Sequence, residues 1–375
     1  MDASVNRIPS SADERALLVA IRLHGHDEDL VAHSLDELSM LVNTAGAVIV
    51  EKMILKRREF DPAHLIGKGQ MERITALIAE KDIRLVVFDQ NAVKPAQIRN
   101  LETIFKCRVV GRTEVILDIF ARRARSAESK IQVELAQLRY ILPRLKGLGG
   151  VLSRLGGGIG TRGPGEKMLE TDRRHILRRI AKLNDRLEEI TEHRTLIRRG
   201  RSGRVRGAVV GYTNAGKSTL LNLLARDDLF VEDRLFATLD AYTRVVYLEK
   251  DKKALLTDTV GFINNLPANL VESFKSTLEE IRNAHFIIHV IDITARNHSQ
   301  NIRTVEKELA ALECVDIPTV LFFNKIDRAE SVELIDAVGN RHPSAIMGSA
   351  ITGEGIDRLK NVMIELYDRI EPLKS

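Results

Sequence analysis

The sequence has no tryptophan, only two cysteines in 375 residues and no long apolar run. Because a membrane-spanning helix needs about 20 consecutive apolar residues, no membrane span is predicted, whereas peripheral attachment to a membrane stays open. Cys107 and Cys314 are too few and too far apart for a disulfide framework or a zinc site. The first fifteen residues are polar and lack the apolar core of a signal peptide. We therefore expect a cytoplasmic protein, and a monomer.

Positive charge is concentrated in one part of the chain. Hydrophobic residues make up 44% and charged residues 29%, as in soluble globular proteins, and the length predicts two or three domains. Residues 121–206 contain 22 basic and 9 acidic residues, a net charge of +13, while the whole chain carries +5, so the remainder carries −8. This distribution favours a polyanionic partner, most simply nucleic acid. The alternative is a solvated, arginine-rich helical surface.

Strand-like and helix-like segments alternate over residues 1–120, which predicts a small α/β domain with a parallel sheet. Ser34 is the expected N-cap of the first helix. Gly67-Lys68-Gly69-Gln70 resembles a nucleotide loop only weakly, and a structural turn is favoured there. The predicted strands are 16–23, 47–53, 83–89 and 108–110, and the predicted helices are 33–46, 71–81 and 94–105.

Residues 121–203 predict a basic helical hairpin that links two α/β domains. Apolar residues recur at spacings of four and three along two helices: Ile131, Leu135, Leu138, Leu142 and Leu145 in the first, and Ile176, Ile180, Leu183, Leu187 and Ile190 in the second. The loop between them, 147–165, holds nine of the 24 glycines, with basic residues interspersed. It is either a flexible connector or a basic tip that follows an RNA surface. Residues 198–204 predict a hinge.

The third segment, 204–375, begins with the pattern of a phosphate-binding loop (P-loop). A strand-like run leads into Gly211-Tyr212-Thr213-Asn214-Ala215-Gly216-Lys217-Ser218, and Thr219 and a helix-like run follow. This is G-x-x-x-x-G-K-S/T in its strand-loop-helix setting. The glycines let backbone N–H groups face the β-phosphate, Lys217 reaches the β- and γ-phosphates, and the Ser218 hydroxyl suits Mg²⁺. We predict a P-loop GTPase domain with a mostly parallel sheet and helices on both faces.

Two further elements follow in the order that a GTP-binding domain requires. Asp258-Thr259-Val260-Gly261 ends a predicted strand, so that Asp258 can hold Mg²⁺ through water and the Gly261 amide can sense the γ-phosphate. A switch threonine should lie within Phe236-Ala237-Thr238-Leu239-Asp240, and we choose Thr238 first and Thr243 second. The predicted metal ligands are Ser218 and Thr238, and the predicted catalytic residues are Lys217, Thr238 and Gly261.

Base recognition is predicted at Asn324-Lys325-Ile326-Asp327, which ends an apolar strand. A carboxylate at Asp327 accepts from the N1–H and the N2 amine of guanine, and adenine offers neither donor there. Asn324 and Lys325 would brace the loop, and the backbone of Ser349 and Ala350 would meet the guanine O6. The order of these elements predicts GTP and GDP as ligands, with ATP the weaker alternative.

GYTNAGKSTL, FATLD, DTVGFI, NKID and SA-x-TGEG together resemble the HflX family of translation-associated GTPases. DIFARRARSAESKIQVELAQLRYILPRL and GGGIGTRGPGEKMLETDRRHI are similar to that family's linker, and IGKGQMERI and DQNAVKPAQIRNLE resemble its N-terminal domain. The resemblance extends from about residue 16 to residue 370. One departure is FATLDAYTR, where the family commonly has FATLDPTTR.

The resemblance implies a GTPase that binds the large ribosomal subunit and its RNA and splits or rescues stalled or idle ribosomes. Two alternatives stay open: a GTP-timed factor in large-subunit assembly, and a GTP-gated protein-interaction module. Phe262 stands where Ras-like enzymes carry a water-orienting glutamine. Because a phenyl ring cannot polarise water, we expect slow intrinsic hydrolysis that a partner stimulates.

Overall fold

The computed structural model describes residues 14–145, 164–199, 204–226, 235–236, 242–264 and 275–370, with the backbone alone for 164–170, 193–199 and 275–277. These residues divide into two compact units. The first unit consists of the described residues up to Arg122 and those from Lys130 to Glu188. The second consists of 123–129 and all described residues from Glu189 onward. The three-domain division at residues 120 and 203 stays a prediction.

The first unit is built on a parallel four-stranded sheet. Its strands are β1 (Arg15–Leu23), β2 (Val48–Arg57), β3 (Leu85–Phe88) and β4 (Arg108–Gly111), in the order β2-β1-β3-β4. The helices between and after them are α1 (Glu28–Thr44), α2 (Lys68–Glu80), α3 (Pro95–Phe105) and α4 (Arg112–Arg123). The predicted alternation of strands and helices around a parallel sheet is thus present. Helix α4 had not been predicted.

Both faces of this sheet are covered, and its central strands β1 and β3 are therefore nearly continuous apolar runs, whereas β2 at the edge is only partly buried. Val19 of β1 packs with Ile74 of α2 and Leu101 of α3 in one core. Helix α1 packs against β1 and β2, and it buries Leu38 and Leu41 completely. The unit therefore has three layers, with the sheet in the middle.

The N-termini of α1 and α2 show how local capping sets where each helix begins. Helix α1 begins at Glu28, because Asp27 is its N-cap and the Asp27 Oδ1 atom accepts from the Asp29 amide at 2.9 Å. Ser34 lies inside the helix, so its prediction as N-cap was wrong. Gly67 precedes α2 and its amide donates to Gln70 Oε1 at 3.2 Å, so the glycine loop is a helix start.

Two long helices follow, α5 (Ala127–Leu145) and α6 (Pro164–Arg199). The predicted apolar face of each is turned away from solvent: Leu135 is 1% exposed and Leu183 is 3% exposed. The two helices contact each other where the Arg179 guanidinium donates to both Glu134 carboxylate oxygens, at 2.6 and 3.0 Å. The middle region is thus helical, as predicted.

Helix α5 has a second buried face that was not predicted. Tyr140 is buried on this face and its hydroxyl donates to Glu114 of α4. The Arg144 guanidinium stacks 3.3 Å from the centre of the Tyr140 ring and donates to the Val93 carbonyl at 3.3 Å. Burial, and then the Glu114 charge, raise the pKa of Tyr140. These contacts attach α5 to the α/β layers of the first unit.

The second unit is built on a six-stranded sheet. Its strands are β5 (Val205–Gly211), β6 (Tyr242–Glu249), β7 (Lys252–Asp258), β8 (Phe286–Asp292), β9 (Thr319–Asn324) and β10 (Ile346–Met347), in the order β10-β9-β8-β5-β7-β6. Among these strands β6 is antiparallel to β7 and the other pairings are parallel.

Helices cover both faces of the second sheet, as predicted for a P-loop domain. They are α7 (Lys217–Ala225), α8 (Lys275–Arg282), α9 (His298–Ala311), α10 (Val332–Arg341) and α11 (Ile356–Ile370). Leu220 of α7 and Leu359 of α11 share one core, and Ile302 of α9 and Val338 of α10 share another. No helix within the described ranges is long and apolar enough to cross a membrane.

Candidate active site

The carboxyl ends of the parallel strands in the second unit bring the predicted site residues together. The P-loop follows β5, Asp258 ends β7, Asn324 ends β9 and Ser349 follows β10. In open parallel sheets this edge is the usual place for ligands, because the loops that leave it converge there. Residues that lie up to 139 positions apart in the chain, Gly211 and Ala350, therefore contribute to one site.

Two glycines of the P-loop stand where no side chain fits. A Cβ atom at Gly211 would lie 2.2 Å from the Val290 carbonyl oxygen. Gly216 has φ +91°, and a Cβ atom there would lie 2.2 Å from the Asn324 amide nitrogen. The loop therefore depends on glycine for close backbone packing at its start and for contact with β9 at its end.

Lys217 lies at the first position of α7 and is 7% exposed. Its ammonium group donates to the Gly211 carbonyl at 3.2 Å and to the Tyr212 carbonyl at 2.9 Å. Burial lowers the pKa of Lys217 to about 8, and Asp258 only partly opposes this effect. The lysine is thus a buried cation whose hydrogen-bond partners are neutral carbonyls. In such an environment an anionic ligand is attracted strongly, because no carboxylate has neutralised the ammonium.

The Thr213 hydroxyl is a second buried donor in the same loop. Thr213 is 7% exposed, and its Oγ1 atom has no hydrogen-bond partner among the described residues. A buried hydroxyl normally finds an acceptor. With the helix N-terminus and the Lys217 ammonium beside it, this donor suits the oxygen of a phosphate group. The loop therefore fits the predicted nucleotide phosphates.

Residues 258–261, called here the Asp258 segment, lie directly against the P-loop. The Ser218 hydroxyl donates to Asp258 Oδ2 at 2.6 Å, and Asp258 is 2% exposed. The Thr259 hydroxyl donates to the Val209 carbonyl at 2.9 Å, and Val260 is 6% exposed. Thr219, beside Ser218, lies in the first turn of α7. The segment that leads to Gly261 is thus fixed to the strand that carries the P-loop.

Mg²⁺ prefers oxygen ligands. In nucleotide sites it is held by one or two protein oxygens, and waters and phosphate oxygens complete its coordination. The Ser218–Asp258 pair fits this chemistry. Within the described ranges, no group of three or more His, Cys, Asp or Glu residues could hold a metal by itself. A magnesium ion at this place would therefore rely on nucleotide oxygens for part of its shell.

Asn324 connects three loops. Its amide nitrogen donates to the Ala215 carbonyl at 2.8 Å, and its Oδ1 accepts from the Ala350 amide at 2.8 Å. Lys325 donates to the Asn214 carbonyl at 2.7 Å and pairs with Asp292 at 2.8 Å. The structure thus brings the two expected bracing residues against the P-loop.

The remaining residues of the predicted base site surround Asn324. Asp327 lies in a short 3-10 helix, Ile326–Arg328, and the Ile326 amide donates to the Gly348 carbonyl at 3.3 Å. The Ser349 hydroxyl accepts from the amides of Ile351 and Thr352, at 3.2 and 3.1 Å. The two loops that would contact a guanine base are therefore bonded to each other.

The predicted switch segment is described only in part. Phe236 is 2% exposed and has φ 54°. Ala237, Thr238, Leu239 and Asp240 lie outside the described residues, so the structure does not place the first-choice switch threonine. Thr243, the second choice, lies in β6, where its hydroxyl is 2.9 Å from that of Thr257 on β7.

Two polar residues of this site had not been singled out for their side chains. The Tyr212 hydroxyl accepts from the Asn264 amide at 2.7 Å, although Tyr212 occupies a variable position of the P-loop pattern. His289 of β8 is 2% exposed, and burial, together with the charge of Lys217, lowers its pKa to about 3. The one signal for it in the sequence is a histidine within the apolar run FIIHVID.

Three family models match the chain in succession. They are described as GTP-binding GTPase N-terminal (residues 32–121), GTP-binding GTPase Middle Region (123–201) and 50S ribosome-binding GTPase (206–325). A solved structure, SsGBP in complex with GDP, aligns with a TM-score of 0.50 at 23% identity over 96% of this chain and 99% of that one. That likeness shows the shared fold.

Curated relatives are similar over nearly the whole length. GTPase HflX of Caldanaerobacter subterraneus is 48% identical over 96% of this chain and 82% of that protein. GTPase HflX of Escherichia coli is 42% identical over 94% of this chain and 83% of that protein. Identity at this level, over this much of both chains, shows that the chain belongs to the HflX family of ribosome-associated, GTP-binding proteins and is a GTP-hydrolysing enzyme.

Proposed function

We propose that this GTPase binds the large ribosomal subunit and uses GTP to separate stalled or idle ribosomes into subunits. The observation that carries the proposal is a GTPase site in the same chain as the basic segment 121–206, which has a net charge of +13 and contains α6. On α6, Leu183 faces inward, while Arg174, Arg178 and Lys182 are exposed. Exposed cations along one helix suit RNA phosphates. The family model that matches residues 206–325 is described as a 50S ribosome-binding GTPase, which supports the large subunit as partner.

At the nucleotide site we assign the phosphates to the P-loop and the base to the β9 and β10 loops. The amides of residues 211–218 and the Lys217 ammonium bind the β- and γ-phosphates, and the Gly261 amide binds the γ-phosphate. Ser218 and Thr238 would hold Mg²⁺, and Asp258 would hold it through water. Asp327 selects guanine, and Asn324 and Lys325 keep its loop against the P-loop.

In the hydrolysis step the protein supplies positioning and charge. Mg²⁺ supplies neutralisation of the phosphate oxygens when it is bound. Lys217 donates to the transferring group, and Gly261 orients it. Phe262 offers no group that orients water: it is 4% exposed, and its carbonyl accepts from the Thr213 amide at 2.8 Å. We therefore propose slow intrinsic hydrolysis that the ribosome accelerates, in a cytoplasmic monomer.

Sedimentation of ribosomes with the protein and GTP tests the proposal. We expect a shift from whole ribosomes to subunits, and a large rise in GTP turnover when large subunits are added. Binding to immature large subunits without any splitting would favour the assembly factor instead. No effect of ribosomes on turnover, combined with fast turnover by the protein alone, would favour the protein-interaction module.

A triple variant, Arg174→Ala with Arg178→Ala and Lys182→Ala, tests the role of α6. We expect weaker binding to large subunits and a shallower dependence of affinity on salt, because each phosphate contact that is lost reduces the number of released ions by about one. Turnover without ribosomes should not change. Arg303→Ala, a charge removed from α9, is the control that should bind as the wild type does.

Asp327→Asn tests the base assignment. We expect GTP affinity to fall by roughly 100-fold or more, because the side-chain NH₂ group of asparagine would face the N2 amine of guanine and both groups are donors. The same variant should bind xanthosine triphosphate better, since xanthine carries an acceptor at that position. Asp336→Asn, on the exposed side of α10, is the matched control. Equal affinity of the Asp327→Asn and wild-type proteins for GTP would place base recognition elsewhere.

A further inference from the structure

The segment that follows Gly261 is tied to the P-loop by three hydrogen bonds. The Thr213 amide donates to the Phe262 carbonyl at 2.8 Å, and the Phe262 amide donates to the Gly211 carbonyl at 3.1 Å. The Asn264 amide donates to the Tyr212 hydroxyl at 2.7 Å. Two of these bonds join backbones, and the third depends on a side chain. We call the three bonds the Tyr212 clamp.

The far end of the clamp is fixed to α9. The Thr304 hydroxyl lies 2.8 Å from Asn264 Oδ1 and 3.0 Å from the Gln300 carbonyl, and so holds the Asn264 side chain against α9. Tyr212 itself is 9% exposed, so most of its side chain is shielded from bulk water. The P-loop and α9 are therefore linked through Asn264, whose backbone amide bonds to Tyr212 and whose side chain bonds to Thr304.

The clamp holds Gly261 directly against the phosphate-binding groups. A Cβ atom at Gly261 would lie 2.9 Å from the Lys217 ammonium nitrogen and 2.9 Å from the Thr213 Cα atom. Real Cβ contacts are almost never this short, so even a methyl group has no room there. The Lys217 side chain can swing aside, but the Thr213 backbone belongs to the P-loop and stays in place. A phosphoryl group between Thr213 and Gly261 therefore requires the segment 261–264 to move outward.

We propose that the Tyr212 hydroxyl is a positioning group that weakens GTP binding relative to GDP binding. This inference rests on the proposed assignment of Lys217 and Gly261 to the γ-phosphate. GTP has to displace the segment and break the bond between Asn264 and Tyr212, whereas GDP, which has no γ-phosphate, leaves the bond intact. The clamp thus biases the free enzyme toward GDP, and a partner that pulls the segment away from Tyr212 favours GTP.

Tyr212→Phe is the direct test, because it removes the hydroxyl and keeps the buried ring. A single neutral hydrogen bond corresponds to a change of about 3- to 10-fold in an equilibrium constant. In calorimetric titrations of the full chain with GDP and with a non-hydrolysable GTP analogue, we expect affinity for the analogue to rise by that factor. Affinity for GDP should stay the same. A loss of packing alone would weaken both.

Two further variants separate positioning from general destabilisation. Thr304→Val removes the hydroxyl that holds the Asn264 side chain, and we expect a smaller change in the same direction. Tyr367→Phe removes the hydroxyl of a tyrosine on α11 that is 8% exposed, and we expect an unchanged GTP:GDP affinity ratio. Amide hydrogen exchange at Asn264 should be faster in Tyr212→Phe than in the Tyr367→Phe control.

The possible outcomes distinguish the clamp from the site on which it rests. If the wild-type chain binds neither nucleotide, the site assignment and the role of the clamp both fail. If it binds both, but Tyr212→Phe leaves the GTP:GDP ratio unchanged or lowers it, the role of the hydroxyl is overturned and the site stands. A selective gain in affinity for the GTP analogue, with faster exchange at Asn264, supports the proposal.

Discussion

Each compact unit buries a cation at the end of a parallel strand, but the two cations have opposite surroundings. Arg112, 1% exposed, follows β4 and pairs with the Glu37 and Asp89 carboxylates, with Asp89 at 2.9 Å. Lys217, 7% exposed, follows β5 and donates to two neutral carbonyls. Burial opposes both charges, yet the two carboxylates raise the pKa of Arg112, whereas the pKa of Lys217 is lowered to about 8.

The two cations are both buried and differ in pairing, so we expect pairing to distinguish the structural cation from the one that we propose binds phosphate. Arg112 is neutralised within the protein, and its Nη1 also donates to the Ser34 hydroxyl at 3.3 Å. Lys217 obtains only partial compensation, from Asp258. At the proposed site, the charge that completes its environment is that of a bound phosphate. Changing each cation in turn therefore gives opposite outcomes, and this can be tested.

The largest expected effect is that of Lys217→Ala on activity. We expect kcat/KM for GTP to fall by roughly 1,000-fold or more, because a preorganised donor to the transferring group is lost. The free energy of unfolding should stay the same or rise, since the variant no longer buries a poorly compensated ammonium. Turnover assays and chemical denaturation measure the two quantities. GTP-dependent ribosome binding retained by this variant would contradict the site.

Arg112→Met should show the reverse pattern. Removing one member of a buried ionic network leaves uncompensated charge on Glu37 and Asp89, and such changes cost about 3–5 kcal/mol. Because the chain has no tryptophan, circular dichroism is the suitable probe of unfolding. GTP turnover per folded molecule, without ribosomes, should be unchanged. A loss under about 1 kcal/mol would show that the network contributes little and that the contrast with Lys217 is not one of pairing.

The pH dependence of nucleotide binding sharpens the same contrast. Burial lowers the pKa of Lys217 to about 8, and the phosphate contact that we propose requires the protonated ammonium. Affinity for GDP should therefore fall about tenfold per pH unit above 8. In the unfolded chain the lysine keeps its proton up to a pH of about 10.5. The free energy of unfolding of the nucleotide-free protein should therefore increase as the pH rises from 8 to 10.5. Titrations at pH 7–9 test the first statement. The Lys217→Ala variant is the control: its remaining affinity for GDP should not change with pH over this range.

The smallest effect is expected for an exposed ion pair of the first unit. Arg179 of α6 and Glu134 of α5 form bonds as short as those of Arg112 with Asp89, but the Arg179 side chain is 51% exposed. We expect Arg179→Ala to change the free energy of unfolding by less than about 1 kcal/mol. A loss as large as that of Arg112→Met would show that geometry alone, without burial, decides the contribution of a charge pair.

The architecture and the local pattern of the site could be predicted because each rests on short stretches of chain. The P-loop is a contiguous octapeptide, and the glycines at 211 and 216 reveal the backbone requirements directly. The parallel sheets follow from the alternation of strands and helices. For these features neighbouring residues carry the information.

What could not be predicted depends on contacts between distant residues. The apolar periodicity of α5 predicts one buried face. Its second buried face depends on the contact between Tyr140 and Glu114 of α4, which the sequence pattern does not reveal. Ser34 suggested a cap, since serine favours that position, yet it lies inside α1 and contacts Arg112, 78 residues away. The Tyr212 hydroxyl occupies a position where the P-loop pattern allows any residue. In each case the partner, and not the residue type, determines the role.

Asn324 has a consequence for the order in which the protein is made. Its bond to Ala215 spans 109 residues and its bond to Ala350 spans 26. Proteins are synthesised from the N-terminus, so the P-loop leaves the exit tunnel long before the residues that brace it. A nascent chain therefore has the phosphate loop without its support until residue 350 has emerged. The proposed guanine nucleotide site is therefore complete only after residue 350 has been synthesised.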